Sequence, residues 1–137
     1  MKSSRWHQAT IASGALFAAF SAVHLIDDFL FGVPAEFHLS VPLSEVLALA
    51  FMAALVGLVA TASHRSPPAY LGLTIAGVLI VFAQLLKSPP EILQPGPWHS
   101  GLASEALAAG LALFAALTAL SSYKAGTAAR FKALPPT

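Results

Sequence analysis

The sequence predicts an all-helical integral membrane protein, an up-down-up-down bundle of four transmembrane helices that forms one membrane domain over residues 1–137. Composition is the first observation behind this prediction: the chain is 57% hydrophobic and only 9% charged, whereas soluble domains carry about 25% charged residues. The second is charge sorting. All six carboxylates lie within residues 27–45 or 91–105, while every lysine and arginine except Lys87 lies near the N-terminus, at residue 65 or after residue 123.

Four apolar segments predict the four helices, at about residues 9–27, 41–63, 69–87 and 101–122. Each is close to the ~20 residues that a helix needs to cross ~30 Å of hydrocarbon. The first follows a basic N-terminus and ends at two aspartates, and the third begins after two prolines. Residues 123–137 are expected to form a short basic cytoplasmic tail. An alternative for residues 1–23 is a cleaved signal peptide.

The distribution of lysine and arginine predicts the orientation of the bundle. Basic residues concentrate in cytoplasmic loops of membrane proteins. Both termini and the turn around Arg65 are therefore expected in the cytoplasm, in a multi-pass protein of the inner (plasma) membrane. The loops at residues 28–40 and 88–101 are expected outside. Gly32 and Pro34 argue against a regular helix in the first loop, whose aromatic residues are expected at the interface or over the bundle mouth.

The helices also indicate an internal repeat. The segment Leu43–Ala48 resembles Ala103–Ala108 at an offset of 60 residues, and both contain a Ser-Glu pair. A tandem repeat of one helical hairpin would make the two halves parallel copies of each other.

Each helix carries a polar group at a similar depth below the outer surface. These groups are His24, Glu45, Gln84 and Glu105, with Asp27 and Asp28 beside His24. Polar side chains within a membrane usually point into the bundle. The pattern therefore predicts an outward-facing His/carboxylate pocket that binds a metal, a cation or a small ligand. Alternatively, the glutamates lie near helix N-termini only because the helix dipole favours negative charge there.

The sequence is compatible with several occupants of such a pocket. Imidazole and carboxylate ligands without thiolate suit a divalent transition metal, and the expected ligand set is His24, His38, His99, Glu45 and Glu105. A b-type haem held by two histidines is a second candidate, and a proton or cation relay is a third. No HExxH, CxxCH or paired ExxH motif is present.

The remaining features exclude some functions and leave others open. The chain contains no cysteine, which removes disulfides, thiolate metal sites and cysteine nucleophiles. A net charge of +1 gives no general attraction to nucleic acid. No nucleophile elbow or phosphate loop is present, so nothing positive indicates an enzyme.

The main alternative to a ligand-binding pocket is a non-catalytic accessory subunit, with the lipid bilayer and other membrane subunits as partners. A homo-oligomer that forms a transport pathway is the third hypothesis.

Overall fold

The computed structural model describes residues 2–32, 34, 38–92 and 101–132, and these residues form four long helices without any strand. The helices are α1 (Lys2–Leu30), α2 (Val41–Ser63), α3 (Pro67–Ile92) and α4 (Leu102–Lys132). Each is long and apolar enough to span a membrane. Even α2, with 23 residues, measures about 35 Å at 1.5 Å per residue. The chain therefore has the fold of a multi-pass helical membrane protein.

Three of the helices are longer than the apolar segments alone predict. Helix α1 begins at Lys2 rather than residue 9, and α4 continues to Lys132 rather than ending at residue 122. The added stretches contain polar and basic residues, such as Arg5 and Lys124, which end the apolar run without ending the helix. The chain leaves α1 at Gly32 and enters α4 after Gly101, with φ angles of 74° and 75°. Glycine adopts this left-handed conformation without steric cost.

Helix α3 differs from the sequence prediction at both ends. It starts at Pro67 rather than residue 69, because proline is well suited to the first turn of a helix, where its missing N–H is not needed. It also continues through Pro89 and Pro90 to Ile92, past the predicted end at residue 87. Since neither proline has an N–H, this last part of α3 lacks two of its internal hydrogen bonds.

Helix α4 packs most extensively, against α1 on one side and α3 on the other. One row of its buried side chains recurs at alternating spacings of four and three residues: Ser104, Ala108, Leu111, Ala115, Thr118, Ser122 and Ala125. This spacing is the heptad pattern of closely packed helices. Ala119 and Ser121 are buried beside this row. Most of these residues are small, which lets neighbouring backbones approach, as is usual where lipid provides no hydrophobic drive between helices.

Glycines mark two close contacts of α4. A Cβ added at Gly77 of α3 would lie 2.5 Å from the carbonyl oxygen of Ala115. Within α4, Gly110 is covered by the ring of Phe20, which also packs against Phe114 with ring centroids 5.0 Å apart. Side chains larger than hydrogen do not fit at either position without movement of a neighbour.

The middle of the bundle is an apolar layer to which all four helices contribute. Phe17, Leu55, Leu73 and Leu111 are each at most 3% exposed. Helix α2 is the least enclosed element, since only 11% of its most apolar stretch is buried. Its outer face includes Leu49, which is 71% exposed. Such a face is suited to lipid or to another membrane protein.

Candidate functional site

A cavity of about 410 Å³ lies among α1, α2 and α3, at the end of the bundle where α1 finishes. Its walls are mainly apolar and include Leu25, Phe29, Phe51 and Ile80. Pro34 and Leu39, from the connection between α1 and α2, also line it. Small-molecule pockets commonly enclose about 300–1,000 Å³ behind apolar walls with a few polar groups. This cavity has both properties.

The polar groups of the cavity come from three helices. His24 and Asp28 are one turn apart on α1, Gln84 is on α3 and Ser44 is on α2. The Nε2 atom of His24 lies 3.5 Å from Nε2 of Gln84 and 3.7 Å from Oδ2 of Asp28. With the amide in this orientation, Gln84 donates to an unprotonated Nε2, whereas a proton on that nitrogen would be attracted to Asp28. The donor and acceptor roles in these contacts therefore depend on which ring nitrogen of His24 carries a proton.

Asp27 belongs to a different contact although it is adjacent to Asp28 in sequence. Its side chain is only 8% exposed and accepts a hydrogen bond from the Ser104 hydroxyl of α4. Successive residues on a helix point about 100° apart, so the two aspartates face different neighbours. Asp27 joins α1 to α4, whereas Asp28 faces the cavity between α1, α2 and α3.

The structure brings together some of the residues expected in the pocket and separates others. His24, Asp28 and Gln84 line one cavity. Glu45 and Glu105 have exposed side chains, in contrast to the inward orientation that their depth predicted. The residues that point inward are instead the preceding serines, Ser44 and Ser104, which are 7% and 1% exposed.

The expected metal ligands do not form a cluster in the part of the chain that the structure describes. His38 is exposed and adopts a φ of 56°, and His99 lies outside the described residues. Across residues 2–32, 34, 38–92 and 101–132, no group of three or more His, Cys, Asp or Glu side chains is placed to hold a metal ion. The described donors at this end of the bundle form a histidine, carboxylate and amide cluster beside an apolar space.

Sequence reasoning missed two kinds of residue at this site. Ser44 was overlooked because the charged residue Glu45 follows it in sequence. The Ser44 hydroxyl donates a hydrogen bond to the carbonyl of Ser40 at 3.1 Å. The apolar walls were also missed, because residues such as Phe29 and Phe51 resemble ordinary lipid-facing side chains in sequence. The shared Ser-Glu pair at an offset of 60 residues was the available signal for Ser44 and Ser104.

The other end of the bundle has polar contacts of its own. Nδ1 of His7 and the hydroxyl of Tyr70 are 2.7 Å apart, connecting α1 to α3. The hydroxyls of Ser13 and Ser121 are 3.2 Å apart and buried between α1 and α4. The apolar layer around Phe17 separates these contacts from the cavity along α1.

Comparisons with protein-family models, curated proteins and solved structures find no match to this chain. Any functional conclusion therefore depends on the chemistry of the cavity and on the arrangement of the helices around it.

Proposed function

We propose that the helices form an up-down-up-down bundle. Helix α1 contacts α3 near the start of both, through His7 and Tyr70, and again further along both, through His24 and Gln84. Two contacts in the same order along the chain support a parallel pair. The short turn at residues 64–66 then supports an antiparallel α2 between them.

The contacts of α4 support the same order. Asp27, near the end of α1, contacts Ser104, near the start of α4. Ser13, near the start of α1, contacts Ser121, near the end of α4. The reversed order supports an antiparallel pair, so α4 returns the chain to the side on which α1 began.

The proposed orientation places both termini in the cytoplasm, with the cavity opening outward from the inner membrane. Its support is the charge at the two ends. Arg5, Arg65, Lys124 and Arg130 belong to the end opposite the cavity, and this is the arrangement that basic residues favour. Accessibility of single introduced cysteines from outside the cell tests the orientation directly.

The tandem hairpin repeat is also part of the proposal. Positions 60 residues apart have matching environments: Ser44 and Ser104 are buried, whereas Glu45 and Glu105 are exposed. His24 and Gln84, also 60 residues apart, approach each other at the cavity. Equivalent burial at equivalent positions is what two copies of one hairpin would give.

For its function, we propose that this membrane protein binds a small ligand with an apolar body and a cationic amine head in the outward-facing cavity. The observation that carries the proposal is the cavity itself, with apolar walls and its polar groups concentrated on His24, Asp28 and Gln84. Oε1 of Gln84 is buried and has no hydrogen-bond partner among the described residues. A buried oxygen of this kind favours a ligand that donates a hydrogen bond.

Charge favours a cation over an anion in this cavity. The described side chains that line it include the Asp28 carboxylate but no lysine or arginine. Complementary charge across an interface selects the partner of the opposite sign. The apolar walls would cover the rest of the ligand, and their burial provides affinity that does not depend on charge.

Dansylcadaverine, which joins an apolar fluorophore to a primary ammonium, is a suitable probe for the protein in lipid nanodiscs. We expect the change Asp28→Asn to weaken binding by roughly 10- to 100-fold, because hydrogen bonds to charged groups contribute about 1.5–3 kcal/mol. The N-acetylated probe, which lacks the charge, should bind weakly and be insensitive to this change. The matched control is Glu105→Gln, which removes an exposed carboxylate that does not line this cavity. Equal binding of both probes, or equal affinity of both variants, would contradict the proposal.

An accessory role in a larger membrane complex is the alternative, and the exposed apolar face of α2 favours it. Valine and leucine side chains on that face, including Val46 at 63% and Leu49 at 71%, are open to a partner helix as well as to lipid. Purification in mild detergent distinguishes the two. A stable complex with a second chain, lost on substitution of Leu49 by serine, would support the accessory role, whereas a single species without a partner chain would count against it.

A further inference from the structure

A second space lies directly behind the cavity, on the membrane-facing side of α1 and α2. It is a groove of about 350 Å³ lined by Ala22, Ile26, Leu49 and other apolar side chains, with one acidic residue, Glu45. Ile26 and Leu49 are 59% and 71% exposed, so this groove opens toward the lipid.

Only a thin partition separates the groove from the cavity. Three residues line both spaces: Leu25 and Phe29 of α1 and Ala48 of α2. Along α2, each residue that lines the groove comes one position after a residue that lines the cavity, and Ala48 lines both spaces. Its methyl group fills little of the gap between the helices, so the two larger side chains of α1 form most of the partition.

The packing of the surrounding helices is consistent with movement at this partition. Helix α1 packs far less extensively against α2 than against α4, and α2 is the least enclosed of the four helices. Phe29 is half-buried and lies one residue before α1 ends at Leu30. A rotation of its ring would open one part of the partition between the groove and the cavity.

The chemistry on the two sides of the partition is similar. Each space is mainly apolar, and each contains a carboxylate, Glu45 in the groove and Asp28 in the cavity. An amine dissolved in the bilayer would keep its apolar body covered along the whole route. Its ammonium group would pass from one carboxylate to the next.

We propose that a lipophilic amine enters the cavity sideways from the bilayer, through the groove at Glu45 and past Phe29. This inference rests on the proposed function of the cavity and adds the route of entry. Glu45 acts on the route but does not line the final site. It should therefore affect how fast the amine arrives and leaves, with little effect on the equilibrium affinity.

Stopped-flow fluorescence of dansylcadaverine with the protein in nanodiscs tests this route. We expect Glu45→Gln to slow association by roughly tenfold or more, because a focusing charge raises local concentration and entry rates by at least that factor. Dissociation follows the same route in reverse, so it should slow by a similar factor. The dissociation constant should stay nearly unchanged, because it is the ratio of the two rate constants and equal changes cancel. The matched control Glu105→Gln, 60 residues further along and equally exposed, should leave both rates unchanged.

A second variant keeps the inference testable if Glu45 has an additional role. Replacing Phe29 by alanine should accelerate both association and dissociation, because it removes the larger of the two α1 side chains that form the partition. If dansylcadaverine binds and responds to Asp28→Asn, but its rates are unaffected by Glu45→Gln and Phe29→Ala, lateral entry is wrong and the cavity function stands. If dansylcadaverine does not bind at all, the proposed function and the entry route both fail.

Discussion

The contact between α3 and α4 at Gly77 gives the sharpest prediction about the bundle. A methyl group added there would lie 2.5 Å from the carbonyl oxygen of Ala115 and 3.0 Å from the Cβ of Ala119. The obstacle at Ala115 is backbone, which cannot rotate away. The two helices would have to separate by roughly 0.5–1 Å to restore an ordinary contact distance, and forced overpacking typically costs about 1–3 kcal/mol. We expect Gly77→Ala to reduce the free energy of unfolding by that amount.

Two other glycines provide matched controls for this measurement. A Cβ at Gly57 meets nothing within 4 Å, so Gly57→Ala should be neutral or slightly stabilising through helix propensity, by up to about 1 kcal/mol. A Cβ at Gly72 would meet only the end of the flexible Leu58 side chain, at 2.6 Å, which can move aside. Gly72→Ala should therefore fall between the other two.

Reversible unfolding in mixed micelles, with helical content followed by circular dichroism, would give the three free-energy changes under one condition. The expected order of destabilisation is Gly77→Ala, then Gly72→Ala, then Gly57→Ala. The reasoning would be refuted if Gly77→Ala were as stable as Gly57→Ala, because α3 and α4 could not then pack with their backbones in contact at this level.

Three further changes test other contacts by the same assay. Ser104→Ala should cost about 1–3 kcal/mol, because it leaves the buried carboxylate of Asp27 without its hydroxyl donor; a loss below about 0.5 kcal/mol, which is the range of ordinary surface substitutions, would show that the contact contributes little. Tyr70→Phe should cost about 0.5–1.5 kcal/mol through loss of the hydrogen bond to His7, and it should have no further effect once His7 is replaced by phenylalanine. Leu73→Ala should cost about 2–5 kcal/mol, since Leu73 is fully buried; an unchanged stability would mean that the apolar layer is not closely packed.

The fold could be predicted from the sequence because lipid imposes simple requirements on the length and hydropathy of a membrane-spanning helix. Four apolar stretches predicted four helices, and the bounds of α2 at Val41 and Ser63 follow directly from its apolar run. The ends of the other helices were harder to predict from the sequence. An apolar run ends where polar residues begin, but the helix can continue further, as α1 does to Leu30, shortly before Gly32 with its positive φ.

The rotation of each helix about its own axis was the harder problem. In α4, alanine occurs on every face, so hydropathy does not indicate which side is buried. Glu105 drew attention to one face, but the buried row runs through Ser104 and Ala108. The side chain of Ser104 points about 100° away from that of Glu105 around the helix. His24 and Asp28 were easier to assign, because two polar residues one turn apart in an apolar helix define a face by themselves.

Labelling of single cysteines in intact cells tests the central claim most directly, namely that the bundle crosses the membrane with its cavity end outside. The chain contains no cysteine of its own, so each variant carries one reactive thiol. His38, Arg65 and Arg130 are all exposed and belong to the two ends of the bundle. We predict that a membrane-impermeant maleimide labels His38→Cys in intact cells but labels Arg65→Cys and Arg130→Cys only after permeabilisation. Labelling of His38→Cys and Arg65→Cys from the same side would contradict the account.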